Sequence, residues 1–336
     1  MRIAFFILLA ICSGTLSMAQ YAPQAGVPGS TAISATSSSF AGWATQCTIA
    51  RGYLNIDSPA LGPVTVGDSS NALGVVDHYI VSLGDSGVAT LTFAAPIYNG
   101  PDADFAVFEN GFANAANDSQ AFLELAFVEV SSDGMRFVRF PATSLTDINT
   151  QIPGSGVYMY ANLLNNIAGK YITNYGTPFD LQELADSPGL DINNITHVRL
   201  VDVVGSTGPH ACRDAGGRII NDPYPTQFPT GGFDLDAVGV LHQAAISHIG
   251  VGILYDNVSV KTYPNPATDK LFISVNGIAP HGLTATLTTI TGKELLQKAL
   301  SENNNELTIQ QLPAGMYFLT LRDANGNKWV EKITKR

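Results

Sequence analysis

The sequence predicts an all-β chain built as two sandwiches of unequal size, and three observations predict it. Short runs rich in Val, Ile, Thr, Phe and Tyr alternate with period two between clusters of Gly, Pro, Asn and Asp, the pattern of strands and turns. Helical signals are confined to Leu181 to Ala185 and Asn162 to Ile167. The charge also changes sign along the chain. Residues 20–255 carry 7 Lys and Arg against 21 Asp and Glu, a net of −14, whereas residues 256–336 carry 9 against 7, a net of +2. Two domains are expected, at 43–245 and 259–336, joined by a linker at 246–258.

At the start, Arg2 precedes an apolar run from Ile3 to Ile11 that is too short to span a bilayer. Ser17 and Ala19 supply the small residues of a cleavage site, so residues 1–19 read as a signal peptide cut before Gln20. Cys12 follows Ile11 rather than a small residue, which argues against a lipid anchor. No other segment is long and apolar enough for a transmembrane helix. Residues 20–42 are rich in Ala, Gly, Pro, Ser and Thr without period and read as a flexible lead.

In the large domain, Ile80 to Leu83 and Val88 to Phe93 flank Gly84-Asp85-Ser86-Gly87, which predicts a hairpin. Further strands are expected at Phe105 to Phe108, Ala121 to Val130, Met135 to Phe140, His197 to Val204 and Phe233 to Leu241. Long connections at residues 142–190 and 205–232 are where function would sit. Removing the signal leaves Cys47 and Cys212; an exported even pair suggests one disulfide, with two buried free thiols as the alternative.

The small domain opens with Tyr263-Pro264-Asn265-Pro266, whose prolines fix φ and withhold two donors. The alternating strand Lys270 to Val275 follows, then turn signals at 291–293, 313–315 and 323–327. Leu312-Pro313-Ala314-Gly315-Met316-Tyr317-Phe318 and the basic end Lys332-Ile333-Thr334-Lys335-Arg336 complete it. That order resembles the C-terminal sorting domain of cargo of the Bacteroidetes type IX secretion system. The resemblance implies a small immunoglobulin-like β-sandwich at 259–336, the type IX secretion machinery as partner, and a secreted or outer-cell-surface location.

The run Phe127-Val128-Glu129-Val130-Ser131-Ser132-Asp133-Gly134, followed by Phe137, resembles the strand-turn-strand of galactose-binding-like domains. It implies a jelly-roll β-sandwich at 43–245. Asp104 to Phe112 and Gly231 to Val238 resemble segments of bacterial cell-surface proteins without assigned activity.

The candidate chemistry is acidic. Asp102 and Asp104, Glu109 and Asn110, and Asp234 and Asp236 form three close sets. Residues i and i+2 of a strand share a face, so Asp234 and Asp236 should project together while Phe233, Leu235 and Ala237 face the other way. Adjacent carboxylates need a cation, a proton or hydrogen bonds, and hard oxygen ligands suit Ca²⁺. The resembled jelly rolls carry structural calcium, so a Ca²⁺ site from these six residues is expected, with a hydrogen-bonded acidic rim as the alternative. Asp104 and Glu109 have opposite strand parity and can share it only through a bulge or loop.

Tyr158, Tyr160, Tyr171, Tyr175, Tyr224 and Phe228 lie in Gly-, Pro- and Asn-rich segments, which suits a sugar-binding surface. The alternative is aromatics capping the sandwich. A glycosidase pair of Glu109 with Glu124 or Glu129 competes, although Glu124 and Glu129 have opposite parity. Gly84-Asp85-Ser86-Gly87 resembles the nucleophile segment of chymotrypsin-like enzymes, but the one upstream histidine is His78 and Val88 replaces their next glycine. It reads as a turn. The histidines show no zinc spacing.

The acidic main domain argues against nucleic acid as a partner. The sequence therefore points to a secreted or surface binding and adhesion protein, calcium-stabilised, with a surface glycan or protein ligand. An extracellular glycosidase-like hydrolase and an accessory protein of surface assembly are the competing readings.

Overall fold

The computed structural model describes residues 21–244, 259–276, 282–289, 291–301, 305–324 and 328–336. The expected signal peptide at 1–19 and linker at 246–258 lie outside the described residues. The chain divides into two compact units, Met1–Ala245 and Ile246–Arg336.

In chain order the first unit holds strands β1 (Ile33–Ser34), β2 (Gly42–Ala50), β3 (Val81–Ser82), β4 (Val88–Ile97), β5 (Phe105–Glu109), β6 (Phe112–Asn114), β7 (Asn117–Phe122) and β8 (Ala126–Ser131). It continues with β9 (Val138–Arg139), β10 (Thr143–Ser144), β11 (Met159–Tyr160), β12 (Leu164–Asn165), β13 (Tyr175–Phe179), β14 (Ile195–Asp202) and β15 (Asp234–Val240). The main sheet runs β1-β13-β5-β15-β2-β4-β14-β8-β9, with β3 paired to β15. β2 is its corner. Gly42 and Trp43 pair with β15, and from Ala44 onward the strand pairs with β4, with a register shift between Ala44 and Gln46. A bulge of this kind turns a strand from one layer into the next.

The two layers share one core. Leu91, Val128, Val130, Val198 and Leu200 come from one side, and Phe105, Val107, Leu235, Val238 and Val240 from the other. Phe105, Phe140 and Phe179 pack with ring centroids 5.0–5.9 Å apart. Each such side chain, removed from water, contributes about 1.5–3 kcal/mol.

Two expected elements come out differently. Residues 80–93 do not form a hairpin ladder: β3 pairs with β15 whereas β4 pairs with β2 and β14. The Gly84–Gly87 turn closes through Gly87 N–H to Gly84 C=O at 2.7 Å, but Leu83 N–H already donates to Phe233 C=O at 2.9 Å and pulls its strand into the other layer. Gly84 adopts φ 72°, and a Cβ on Gly87 would meet the Leu83 carbonyl oxygen at 2.0 Å, which is why this turn demands glycine. The expected strand Ala121 to Val130 is likewise broken between β7 and β8, where Leu125 N–H donates 2.9 Å to Asp222 Oδ2 instead of to a ladder. A 3₁₀ turn at Leu181–Leu184, capped by the Asp180 side chain, occupies the predicted helical stretch. A second at Ala161–Leu163 overlaps the start of the other.

The second unit holds β16 (Ser259–Tyr263), β17 (Lys270–Asn276), β18 (Thr284–Thr289), β19 (Glu294–Ala299), β20 (Asn305–Thr308), β21 (Gly315–Arg322) and β22 (Lys328–Lys335). They form a β16-β17-β20 sheet and a β19-β18-β21-β22 sheet. Alternation explains the packing: Ala285 and Leu287 are buried between the threonines of β18, and join Leu271, Ile273, Leu319, Leu321 and Ile333 in one core. This is a small β-sandwich. The whole described chain is all-β with four short 3₁₀ turns.

Candidate functional site

One end of the large sandwich gathers carboxyl groups from five separate segments. Glu109 closes β5 and Asp234 opens β15, and the register of these strands sets Glu109 opposite Leu235. Glu124 sits in the break between β7 and β8. Asp202 ends β14, and Asp222 belongs to the long connection before β15. Of these, Glu124 and Asp234 line a cleft of about 290 Å³ together with Asn110, Phe112, Phe122 and Phe228. Phe112 is 52% exposed and Phe228 50%, a large apolar display for two residues beside buried acids. Phe112 stacks on Phe122 at 5.1 Å and meets Tyr158 edge-on at 6.2 Å.

Each carboxyl has a different set of partners. Asp234 accepts from Ser82 Oγ at 2.5 Å and from Asn110 Nδ2 at 2.9 Å. Glu109 Oε2 accepts from Gly111 N–H at 2.8 Å. Asp202 accepts from Phe233 N–H at 2.8 Å and Ser86 N–H at 3.0 Å. Asp222 uses one oxygen on Leu125 N–H while its Oδ1 is buried without a partner. Glu124, 8% exposed, has no hydrogen bond or ion pair within the described residues. Among the described residues, no lysine or arginine pairs with any of the five; the ion pairs of this unit lie elsewhere.

Burial without counter-charge decides the electrostatics. Desolvation, then repulsion from Asp234 and other neighbouring acids, holds the Glu109 and Glu124 carboxyls well above the usual carboxylate range. Burial pushes Asp222 well up, Asp202 up to about 8 and Asp234 up to about 6. The cleft thus presents Glu124, whose carboxyl is held well above the usual carboxylate range, beside Asp234, pushed up to about 6.

The six residues expected to hold calcium do not assemble. Asp104 is fully buried elsewhere, accepting from Gly100 N–H and Leu181 N–H, each at 2.7 Å, and lying 2.8 Å from His242 Nδ1. Its role is to tie a loop, a 3₁₀ turn and the end of β15 together. Asp102 is exposed at φ 61°. Asp236 accepts from Asp77 N–H at 3.3 Å and lies 4.0 Å from His78 Nδ1. The reason Asp234 and Asp236 part is a register shift between Leu235 and Ala237. Leu235 and Val238 enter the main core whereas Ala237 packs with Ala106 and Phe108. Asn110 and Asp234 remain together at the cleft, with Glu109 behind them near Asp234. No three His, Cys, Asp or Glu side chains among the described residues are placed to hold a metal ion, and the six residues named for calcium are not brought to one place.

Of the expected ligand tyrosines, Tyr171 is buried with its hydroxyl 2.9 Å from Thr31 Oγ1. Tyr175 lies in β13 against β1. Tyr224 is buried, with its hydroxyl 2.9 Å from Asn55 Oδ1 and 2.5 Å from Asp57 Oδ2. These three are structural. Tyr158 borders the cleft through Phe112 and also lines a second, more apolar cavity with Ile152, Val157 and Met159. Cys47 and Cys212 are free, half-buried thiols, one packed against the main core and one in a separate cluster; the expected disulfide is absent. The Gly-Asp-Ser-Gly segment is a turn, with Ser86 at φ 65° and its N–H committed to Asp202.

In the second unit the proline-rich lead is stitched to the last strand. Asn265 donates from Nδ2 to Lys332 C=O at 2.8 Å and accepts from Thr334 N–H at 3.0 Å. Ala267 N–H donates to Thr334 C=O and Arg336 N–H to Ala267 C=O. Tyr317 Oη donates 2.7 Å to Pro313 C=O, which locks the turn of the Pro-Ala-Gly-Met-Tyr segment.

Residues 261–336 match the family model of the secretion system C-terminal sorting domain. This tail directs export through the type IX machinery, with which it interacts, and the protein is secreted or held at the cell surface. No helix among the described residues is long and apolar enough to cross a membrane.

No curated protein matches the chain. Among solved structures, it is similar to an immunoglobulin-like β-sandwich protein of the DUF3244 family from Bacteroides vulgatus. Identity is 15% and the TM-score 0.19, over 24% of this chain and 97% of that one. It is also similar to a β-glucuronidase from Ruminococcus gnavus, at 11% identity and TM-score 0.22, over 94% of this chain and 48% of the enzyme. A biofilm-associated protein's BSP domain matches at 10% identity and TM-score 0.22, over 89% of this chain and 52% of that one. The chain spans about half the length of the latter two.

Proposed function

We propose that this exported protein is a binding or adhesion module that takes a carbohydrate ligand in the cleft between Phe112, Phe122, Phe228, Asn110, Glu124 and Asp234. The observation that carries the reading is the meeting of half-exposed aromatic rings with two buried carboxyl groups and the exposed amide of Asn110 in one concavity. Rings pack against the C–H faces of a sugar while Asn110, Asp234 and Glu124 exchange hydrogen bonds with its hydroxyls. At about 290 Å³ the cleft sits at the lower edge of ligand-pocket sizes, about 300–1,000 Å³, which suits one ring rather than a polymer. The jelly-roll form of the large sandwich belongs to the same reading and is supported by the Ser131-Ser132-Asp133-Gly134 turn. There the Ser131 and Asp133 side chains organise the backbone.

A glycan-array screen of the purified chain, with and without calcium, tests this. Saturable binding to a defined sugar that is lost in Phe228→Ala, without turnover, is expected. A melting temperature raised by calcium would restore the calcium-stabilised form expected from the sequence; an unchanged one in chelator would sink it. A hydrolase reading draws on the same pair of acids, with Glu124 as protonated acid and Asp234 as base. Turnover of a bound sugar that disappears in Glu124→Gln would select it.

A further inference from the structure

We infer that the cleft is built for a ligand that carries a primary ammonium group, which on the carbohydrate reading above makes it an amino sugar with a free amine. Three observations carry this, and none of them requires a metal.

Glu124 is more than nine-tenths buried as a residue, lines the cleft, and has no hydrogen-bond or ion-pair partner among the described residues. A carboxyl with no partner inside the protein is open to a donor from a ligand, which replaces the water that reaches it from the cleft. An ammonium supplies three donors and no acceptor. That matches a site whose polar side chains at its acidic end, Glu124 and Asp234, become acceptors once ionised.

The second observation is charge. Among the described residues, no Lys, Arg or His lines the cleft. The groups behind it, Glu109, Asp202 and Asp222, carry the same sign as Glu124 and Asp234 when ionised. Neutral hydroxyls can bond to these acids but cannot relieve their mutual repulsion; a cation does both.

The third is the wall chemistry, which separates an organic cation from a metal ion. Ca²⁺ takes six to eight oxygens, and no three acidic or imidazole side chains among the described residues are placed to hold a metal ion. Phenyl faces are poor metal ligands, but they attract ammonium groups through the negative face of the ring. Phe112, Phe122 and Phe228 supply that surface at the cleft.

Binding of the ammonium is also expected to shift protons from these acids to the buffer wherever the free protein holds them. It favours the ionised forms of Glu124 and Asp234, so protons that the free protein holds go to the buffer as the ligand enters. A neutral sugar produces no such release.

Calorimetric titration of the exported chain with glucosamine, N-acetylglucosamine and glucose, in buffers of differing ionisation enthalpy, tests the inference. The free amine is expected to bind at least about tenfold more tightly than the other two, with net proton release near pH 7. Glu124→Gln and Asp234→Asn should each erase that preference. Phe228→Ala, at an exposed position, serves as the variant that cannot fail by misfolding of the acidic cluster, and should weaken the amine several-fold. Equal affinity for the three sugars would overturn the ammonium inference and leave the carbohydrate reading standing. Binding of none of them, or binding of the amine without proton release and unaffected by all three variants, would overturn it as well; the first of these removes the carbohydrate reading too.

Discussion

Glu124 and Glu129 are the same residue type, five positions apart, and almost equally buried at 8% and 6%, yet they stand in opposite circumstances. Glu129 lies in β8 on the outer face of its sheet. Its two oxygens are taken by Arg139 at 2.7 Å and Arg199 at 2.5 Å. Those guanidinium groups lie over the rings of Phe127 and Phe137 at 4.0 and 3.8 Å. Glu124, in the break before β8, has acids for neighbours and no cation. The difference teaches how to tell a structural carboxylate from one available to a ligand. The first is satisfied inside the protein, the second has no partner among the described residues and faces the cleft.

The largest expected effect breaks the satisfied half. Glu129→Ala leaves two arginines stacked on phenylalanines without their acceptor. Because both arginines are partly exposed, the loss falls below that of a fully buried network, at about 1–3 kcal/mol. Chemical denaturation should show it as a shifted midpoint with an unchanged slope. Ligand binding at the cleft should survive. A stability unchanged within error would mean the Arg-Glu-Arg array is decoration, and the contrast with Glu124 would fail.

The next effect sharpens the unsatisfied half and depends on pH. Raised folded-state pKa values mean that the native protein holds protons more tightly than the unfolded chain. The associated stability is present in full below about pH 4, near the unfolded carboxyl range, and is lost as pH rises through the folded-state values. For Asp234 that window closes near 6 and for Asp202 near 8; for Glu109, Glu124 and Asp222 the direction is the same. Other groups set the acid limit: Asp68 and Asp133, held low by local hydrogen bonds, favour the opposite slope at low pH. The melting temperature of the large unit should therefore fall between pH 5 and pH 8. Glu124→Gln, which removes one acid from the cluster, should flatten that decline while leaving the pH 5 value nearly unchanged. A melting temperature that rises over this range would contradict the reading of the cluster as uncompensated.

How much of this was legible in the sequence follows from the same contrast. The tail was readable because β18 and its neighbours alternate cleanly, Thr284-Ala285-Thr286-Leu287-Thr288, and because period two is a local property. The all-β class of the large unit was readable for that reason too. The parity argument that separates Glu124 from Glu129 assumes one unbroken strand, and the break between β7 and β8 removes that premise although the two acids do have different neighbours. What could not be read is long-range. The acidic cluster behind and along the cleft draws Glu109, Glu124, Asp202, Asp222 and Asp234 from positions spread over half the main unit, and no spacing rule connects them. Grouping acids by nearness in sequence joined Asp234 to Asp236, which a bulge separates, and Asp104 to Glu109, which lie at opposite ends of β5. Tyr171 and Tyr224 sit in turn-rich segments that look exposed, but each turns inward to a side-chain oxygen. A usable signal was present at Glu124: a lone acid flanked by Leu123 and Leu125, both fully buried, is out of place in a strand.

The smallest expected effect concerns a third way to live inside a protein, by avoiding charge altogether. Cys47 and Cys212 are half-buried thiols, and burial pushes Cys47 up to about 12 and Cys212 in the same direction. The thiolate is the reactive form, so neither should react at neutral pH at the rate of an exposed cysteine. Both should do so once the chain is unfolded. Reductant should leave the melting temperature where it was, since no bond closes the loop between them. The discriminating measurement is labelling with iodoacetamide in denaturant, with and without prior reduction, followed by peptide mass analysis of the residue 47 and 212 segments. Equal labelling of both sites in the two samples is the expected result. Labelling that needs reduction would show a disulfide in the exported protein. It would mean that these residues, like the acids of the cleft and unlike Glu129, reach their final state only through something outside the folded chain, here an oxidant.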